Sequence, residues 1–330
     1  MKTDYFTRNY MPGARWSIGG GLLHGATMLQ LCEGIAKELP GILHLDCLHA
    51  TPACAWSIDW SPLRPLTAPS TYIQLLRIAA ELRQPVCLNF DNPYVAKNLL
   101  EDDFGLFLVS ELLQHNPTNR NAAAVADDRV AMILRRNFPK LPLIAHMNRS
   151  VCEEAEPDAA FYNQLFGMYQ AVQLYPASTR NPELLAELLH PERCIVVIND
   201  CCRQGSRNAH RDMLLLLAQM RIRPYEFAFK VRRSEQMPAV MAAPDSPGNA
   251  LSRQQILALY TAGFRQFHVQ AEQYRNGMTA AWVFMNHIIS AEPEYSNMRS
   301  LLIYKVFSYL NGARPPIASG LGPFTLRYPE

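Results

Sequence analysis

The amino-acid sequence predicts an α/β fold: a single (β/α)8, TIM-type barrel with a short irregular C-terminal tail. Three observations predict it. Short apolar runs rich in Val, Ile, Leu and Phe recur along the 330 residues, each followed by a stretch of helical periodicity. Several runs are apolar on both faces, as parallel strands covered by helices are. A hydrophobic content of 49% over this length supports one large core, at a size where strand–helix barrels occur as single units.

The elements follow in order. The glycine run Gly19–Gly21 reads as a backbone turn before a helix, TMLQLCEGIAKEL, rather than as a phosphate cradle. A doubly wound dinucleotide fold, the competing architecture, loses its main support because no GxGxxG follows the first strand. The strands are read as ILHLDCL from Ile42, PVCLNF from Pro85, GLFLVS from Gly105 and LPLIAHM from Leu141. They continue with QAVQLYP from Gln170, RCIVVIN from Arg193, YEFAFKV from Tyr225 and RQFHVQ from Arg265. The helices between them are STYIQLLRIAAELR, DDRVAMILRRNF, DAAFYNQLFGMY, NPELLAELLH, RNAHRDMLLLLAQM, SRQQILALYTAG and MTAAWVFMNHIIS. Their boundaries carry physical signals. Pro182 after Asn181 stands at a first helical turn, Ser252 with Gln255 forms a capping-box pattern, and Gly263 follows a helix end. The division predicted is a leading segment and helix over 1–40, the barrel over 41–292, and a C-terminal helix and tail over 293–330.

Composition narrows the function classes. A formal charge of +2, from 31 basic and 29 acidic side chains, gives no electrostatic case for nucleic acid or an anionic membrane as partner. No apolar run approaches the roughly 20 residues of a membrane span, and the N-terminus lacks the apolar core of a secretion signal. The expectation is a soluble cytoplasmic protein whose eight cysteines are reduced, serving as small buried hydrophobes or ligands.

In a barrel, reactive groups gather where strands end. The predicted ends carry Asp46, Cys47 and His49; Asn89, Asp91 and Asn92; Ser110 and Glu111; and His146, Asn148 and Arg149. The later ends carry Gln173, Tyr175 and Pro176; Asn199, Asp200, Cys201 and Cys202; Lys230; and His268, Gln270 and Glu272. That concentration of His, Asp and Asn points to a ligand or catalytic site. Its expected centre is VVINDCCRQGSRNAHRD, where an apolar strand breaks into Asn, Asp, paired cysteines and arginines just before a helix.

Three chemistries fit the strand ends. Cys202 near His210 and the arginines suits a thiol of lowered pKa, with Asp200 completing a reactive cluster. Asn89, Asn92, Asn199, Arg207 and Lys230 are then the substrate contacts, Arg207 as a clamp for a carboxylate or phosphate. Asp46, His49 and His146 are the ligand types of a divalent metal site. Acid–base work without metal, through Asp46, Asp200 or Lys230, is the third route.

The order Asn-Asp, cysteine, small residue, Arg, His over Asn199–His210 resembles a group of barrel proteins distantly similar to the collagenase-like peptidases and to the ubiquinone hydroxylation factors UbiU and UbiV. The segments VCLNFDN, FLVSELL, ILRRNFPKLPLIAHMNRS and YQAVQLYP are similar in order and spacing, so the resemblance spans roughly residues 40 to 275. It implies a barrel and, through the hydroxylation factors, an iron–sulfur cluster on four cysteines. Two features depart from the pattern. Ser206 stands where the second cysteine is expected, and the last strand reads FHVQAEQY in place of a Phe-Lys-Ile-x-Gly-Arg ending. The sequence therefore predicts an enzyme acting on a small polar or anionic molecule. The alternative is a cofactor-free binding or scaffold subunit with a protein partner.

Overall fold

The structure, a computed structural model, describes residues 11–39, 43, 45–58, 69–115, 120–199, 207–222, 250–271, 277–288 and 304–310. Its centre is a closed barrel of parallel strands in sequential order, β1 to β8, with β1 pairing back onto β8. The predicted fold class is thus the observed one.

The barrel starts earlier than predicted. β1 is Arg15–Ile18, inside the segment expected only to lead into the barrel, and it is followed by the helix α1, Gly25–Glu38. The glycine turn between them is tied to the strands: Gly19 N–H donates to the Val269 carbonyl and Gly21 N–H to that of His49. Those amides are committed to the backbone, as a turn requires, and are not a phosphate cradle. A side chain at Gly21 would lie within 2.9 Å of Leu48 Cγ and the His49 carbonyl, so only glycine lets the chain pass that close.

β2 is Leu45–Ala50, α2 Pro69–Glu81 and β3 Val86–Phe90, near their predicted places. The run GLFLVS is not a strand. It lies inside α3, Asp103–His115, which buries Gly105, Leu108, Val109 and Leu112, one stripe at helical spacing. Asp102 caps it, accepting from the N–H groups of Phe104 and Gly105. The strand that follows is β4, Ala122–Val125.

Beyond it come α4, Asp128–Asn137, capped by Asp127, and β5, Leu143–Ala145, with the short helix α5, Asn148–Val151. Next are α6, Ala159–Leu165, β6, Ala171–Leu174, α7, Pro182–Ala186, and β7, Cys194–Val197. The last described units are α8, Arg207–Ile222, α9, Arg253–Thr261, β8, Gln266–Val269, and α10, Gly277–Ile288. Asn181 and Ser252 cap α7 and α9 as predicted, the latter in a full capping box, and Gly263 takes a positive φ of 103°. β7 pairs directly with β8, and the run predicted as a strand from Tyr225 lies outside the described residues. Val306, Phe307 and Leu310 are buried, with Val306 against Gly34 of α1. Among the described residues no helix is long and apolar enough to cross a membrane.

Strand alternation divides the core in two. Leu48, Leu88, Val125, Leu143, Val172, Val196 and Phe267 face the helices. Cys47, Cys87, Ala122, Ala124, Ile144, Ala171 and Ile195 form a separate cluster that fills the barrel lumen.

Candidate functional site at the mouth of the barrel

Above the apolar lumen the same alternation places a polar layer. Two positions beyond Cys47 stands His49; beyond Cys87, Asn89; beyond Ile144, His146; beyond Ala171, Gln173. Ser17 of β1 and His268 of β8, paired in register, complete the layer, and all six side chains are buried. They lie toward the C-terminal ends of the strands.

Hydrogen bonds set the state of two histidines. His49 Nδ1 meets Asn89 Oδ1 at 2.8 Å, and Asn89 Nδ2 donates to Thr51 Oγ1. An amide oxygen only accepts, so His49 carries its proton on Nδ1 and presents a bare Nε2. His146 is the reverse. Its Nδ1 accepts the backbone N–H of Asn148 at 3.2 Å, which leaves the proton on Nε2. His268 packs against His49 with ring centroids 4.3 Å apart and planes tilted by 48°, and shares a 2.9 Å hydrogen bond with Ser17 Oγ.

Burial and mutual repulsion keep these rings neutral. Desolvation pushes His49 down to about 4, outweighing its bond to Asn89. Desolvation, then the neighbouring His49 and His210, push His146 down to about 3. His268 falls well below its ordinary value through desolvation, His49 and His146. At neutral pH the mouth therefore holds an imidazole acceptor and an imidazole donor in fixed, opposite tautomers.

Three buried acceptor atoms there receive no hydrogen bond among the described residues: His49 Nε2, Asn148 Oδ1 and Gln270 Oε1. An unsatisfied buried polar atom costs on the order of 1–3 kcal/mol, a cost that a bound ligand or ordered water removes.

The sequence-derived set separates on this geometry. Asp200, Cys202 and Lys230 lie outside the described residues. His210 is fully buried on α8, its ring 5.8 Å from that of Tyr175. Asn89 is at the mouth, orienting His49. The other expected substrate contacts are spent on the chain itself. Asn92 bridges the Ala55 carbonyl and the Tyr94 N–H. Asn199 exchanges two hydrogen bonds with the backbone of Gln270 and so fastens β7 to β8. The Arg207 guanidinium donates to the carbonyls of Ser150 and Glu153, bracing α8 against the end of α5.

The expected metal set does not come together among the described residues. Asp46 lies at the opposite end of the barrel, 3.7 Å from Arg15 and 4.0 Å from Arg120, residues that begin β1 and precede β4. His146 has committed its bare nitrogen to Asn148. Among the described residues no three His, Cys, Asp or Glu side chains group to hold a metal ion. The six described cysteines are free thiols. Burial pushes Cys32 and Cys194 up to about 12 and raises Cys47, Cys87 and Cys152 as well, so these thiols are neutral at pH 7 in the metal-free protein.

Sequence reasoning missed Ser17, because β1 itself was read as a lead-in, and left His268, Asn148, Gln173 and Gln270 among the strand ends without a role. The signal for Ser17, Gln173 and His268 is a single polar residue at an alternate position of an apolar run, as in Trp-Ser-Ile, Ala-Val-Gln and Phe-His-Val.

No protein-family model matches the chain, and no curated protein matches it. The structure of the U32 peptidase Mk0906 is similar to it in fold, with 12% sequence identity and a TM-score of 0.47, over 78% of this chain and 92% of that one. The likeness is one of fold and bears on no activity.

Proposed function

We propose that the protein is an enzyme acting on a small polar molecule held at the C-terminal mouth of the barrel, with His49 Nε2 as proton acceptor and His146 Nε2–H as proton donor. One observation carries the reading: two buried histidines held as opposite tautomers by Asn89 and by the Asn148 backbone. A neutral imidazole that donates can polarise an oxygen on the substrate, while one that accepts can draw off a proton. The layer beneath them is apolar and buried, which strengthens both interactions. The centre of this reading is the polar layer on β1, β2, β3, β5, β6 and β8. His210, whose charge would act on His146, borders it.

Turnover of a panel of small carboxylates, phosphate esters, amides and amines, followed by mass detection, tests the reading with wild type beside His49→Gln. Glutamine keeps a polar side chain of similar reach but cannot take the proton. Turnover of one class, lowered about 10²- to 10⁴-fold in the variant, supports it. Turnover that the substitution leaves unchanged sinks it. No turnover in any class moves the protein to the binding or scaffold alternative.

A further inference from the structure

The residues of the mouth form a closed ring of contacts. His49 bonds to Asn89 at 2.8 Å; two residues on, the Asp91 carbonyl holds Asn148 Nδ2 at 2.8 Å. Asn148 adjoins Met147, whose sulfur receives Gln270 Nε2 at 3.5 Å, and two residues before Gln270 the His268 ring packs against that of His49. The three atoms without a donor among the described residues, His49 Nε2, Asn148 Oδ1 and Gln270 Oε1, all sit on this one ring. His49 and Asn148 are completely buried there, so bulk water does not serve them.

We propose that the ring binds a terminal nitrogen group bearing two or three N–H bonds, the –NH2 of a primary amide or the –NH3+ of a primary amine, in preference to a carboxylate or phosphate. The inference rests on the His49 tautomer of the proposed function and goes beyond it by fixing the substrate class. All three orphan atoms accept, so an anion would set acceptor against acceptor. A secondary amide offers one N–H, too few for a ring with three vacant acceptors. The arginine expected to attract an anion, Arg207, is turned onto the Ser150 and Glu153 carbonyls. The ring's own acid, Asp91, is buried on it, with Oδ1 receiving the Ile58 N–H.

The test is side-chain nitrogen NMR of the full chain labelled with ¹⁵N-histidine, at pH 7. Propionamide, propylamine, propionate and propyl phosphate are titrated at equal concentrations into wild type and Gln270→Leu. The expected result is a shift of the His49 Nε2 signal with propionamide or propylamine, weakened about fivefold or more in the half-buried Gln270 variant. Which of the two probes acts separates amide from amine. Binding of propionate or propyl phosphate as tight as either nitrogen probe overturns the proposal. So does silence with all four, which would mean that ordered water fills the ring. A proton found on His49 Nε2 in the unliganded protein would instead overturn the tautomer reading behind the proposed function. The expected tautomer with anions preferred overturns the substrate class alone.

Discussion

His49 depends on a neighbour that never needs to touch a substrate. Asn89 fixes its tautomer through one 2.8 Å hydrogen bond, so Asn89→Leu should let the proton exchange between the two ring nitrogens. The expected outcome is a mixed tautomer by nitrogen NMR and a roughly ten- to hundredfold loss of activity, the range for groups that orient a functional histidine. The buried imidazoles also predict a direction for stability with pH. His49 and His146 titrate near 4 and 3 when folded, against an ordinary 6.5. Between those values the unfolded chain binds more protons, so stability rises with pH up to about 6.5 and is lost on acidification. The contribution of His49 alone is on the order of 3 kcal/mol. Thermal melts from pH 7 to pH 4.5 should fall more steeply in wild type than in His49→Gln. Equal slopes would contradict neutral burial. His49, Asn89 and His146 were legible in the sequence because their chemistry and their strand-end positions coincide. The structural roles of Asn92, Asn199 and Arg207 were not, because each serves a backbone group remote in sequence or set by loop geometry.

At the scale of elements, misreadings follow from propensity. Ala-Ala-Ala-Val has little intrinsic preference for a strand, yet β4 is built from it because the lumen there takes only small side chains. GLFLVS looks like a strand, yet its stripe faces the barrel and its start is capped, so it is helical. That helix leans on a close approach. A Cβ on Gly105 would lie 2.7 Å from Cε3 of the fully buried Trp56. Gly105→Ala should therefore destabilise the protein by about 1–3 kcal/mol, as overpacking does, despite alanine's better helix propensity. A raised melting temperature would show that Trp56 yields. Arg207→Ala tests the brace between α8 and α5: a lower melting temperature with unchanged affinity for whatever ligand is found. Lost affinity without lost stability would restore Arg207 to the site.

At the scale of the molecule, the alternation of apolar runs and helices was enough to predict the barrel, although β1 and β4 were not read as strands. Closure is the part no local pattern encodes. β1 and β8 meet in register from Arg15↔Gln266 to Ile18↔Val269, and the Ser17–His268 and His49–His268 contacts depend on that seam. A chain truncated after residue 250 should therefore lose cooperative unfolding and near-ultraviolet circular dichroism together. A truncated chain that still melts sharply would mean that an open seven-strand sheet is stable by itself.

The seam also imposes a timetable on biosynthesis. Ser17 and Phe267 are separated by 250 positions, so at ordinary ribosomal speeds β1 waits roughly 10–50 s for its second neighbour. During that interval one edge of β1, with Trp16 and Ile18, has no strand beside it, which is the condition under which nascent chains pair wrongly with each other. Machinery that shields growing chains would protect that edge, and the polar mouth, which needs His268 of β8, is among the last things the ribosome completes.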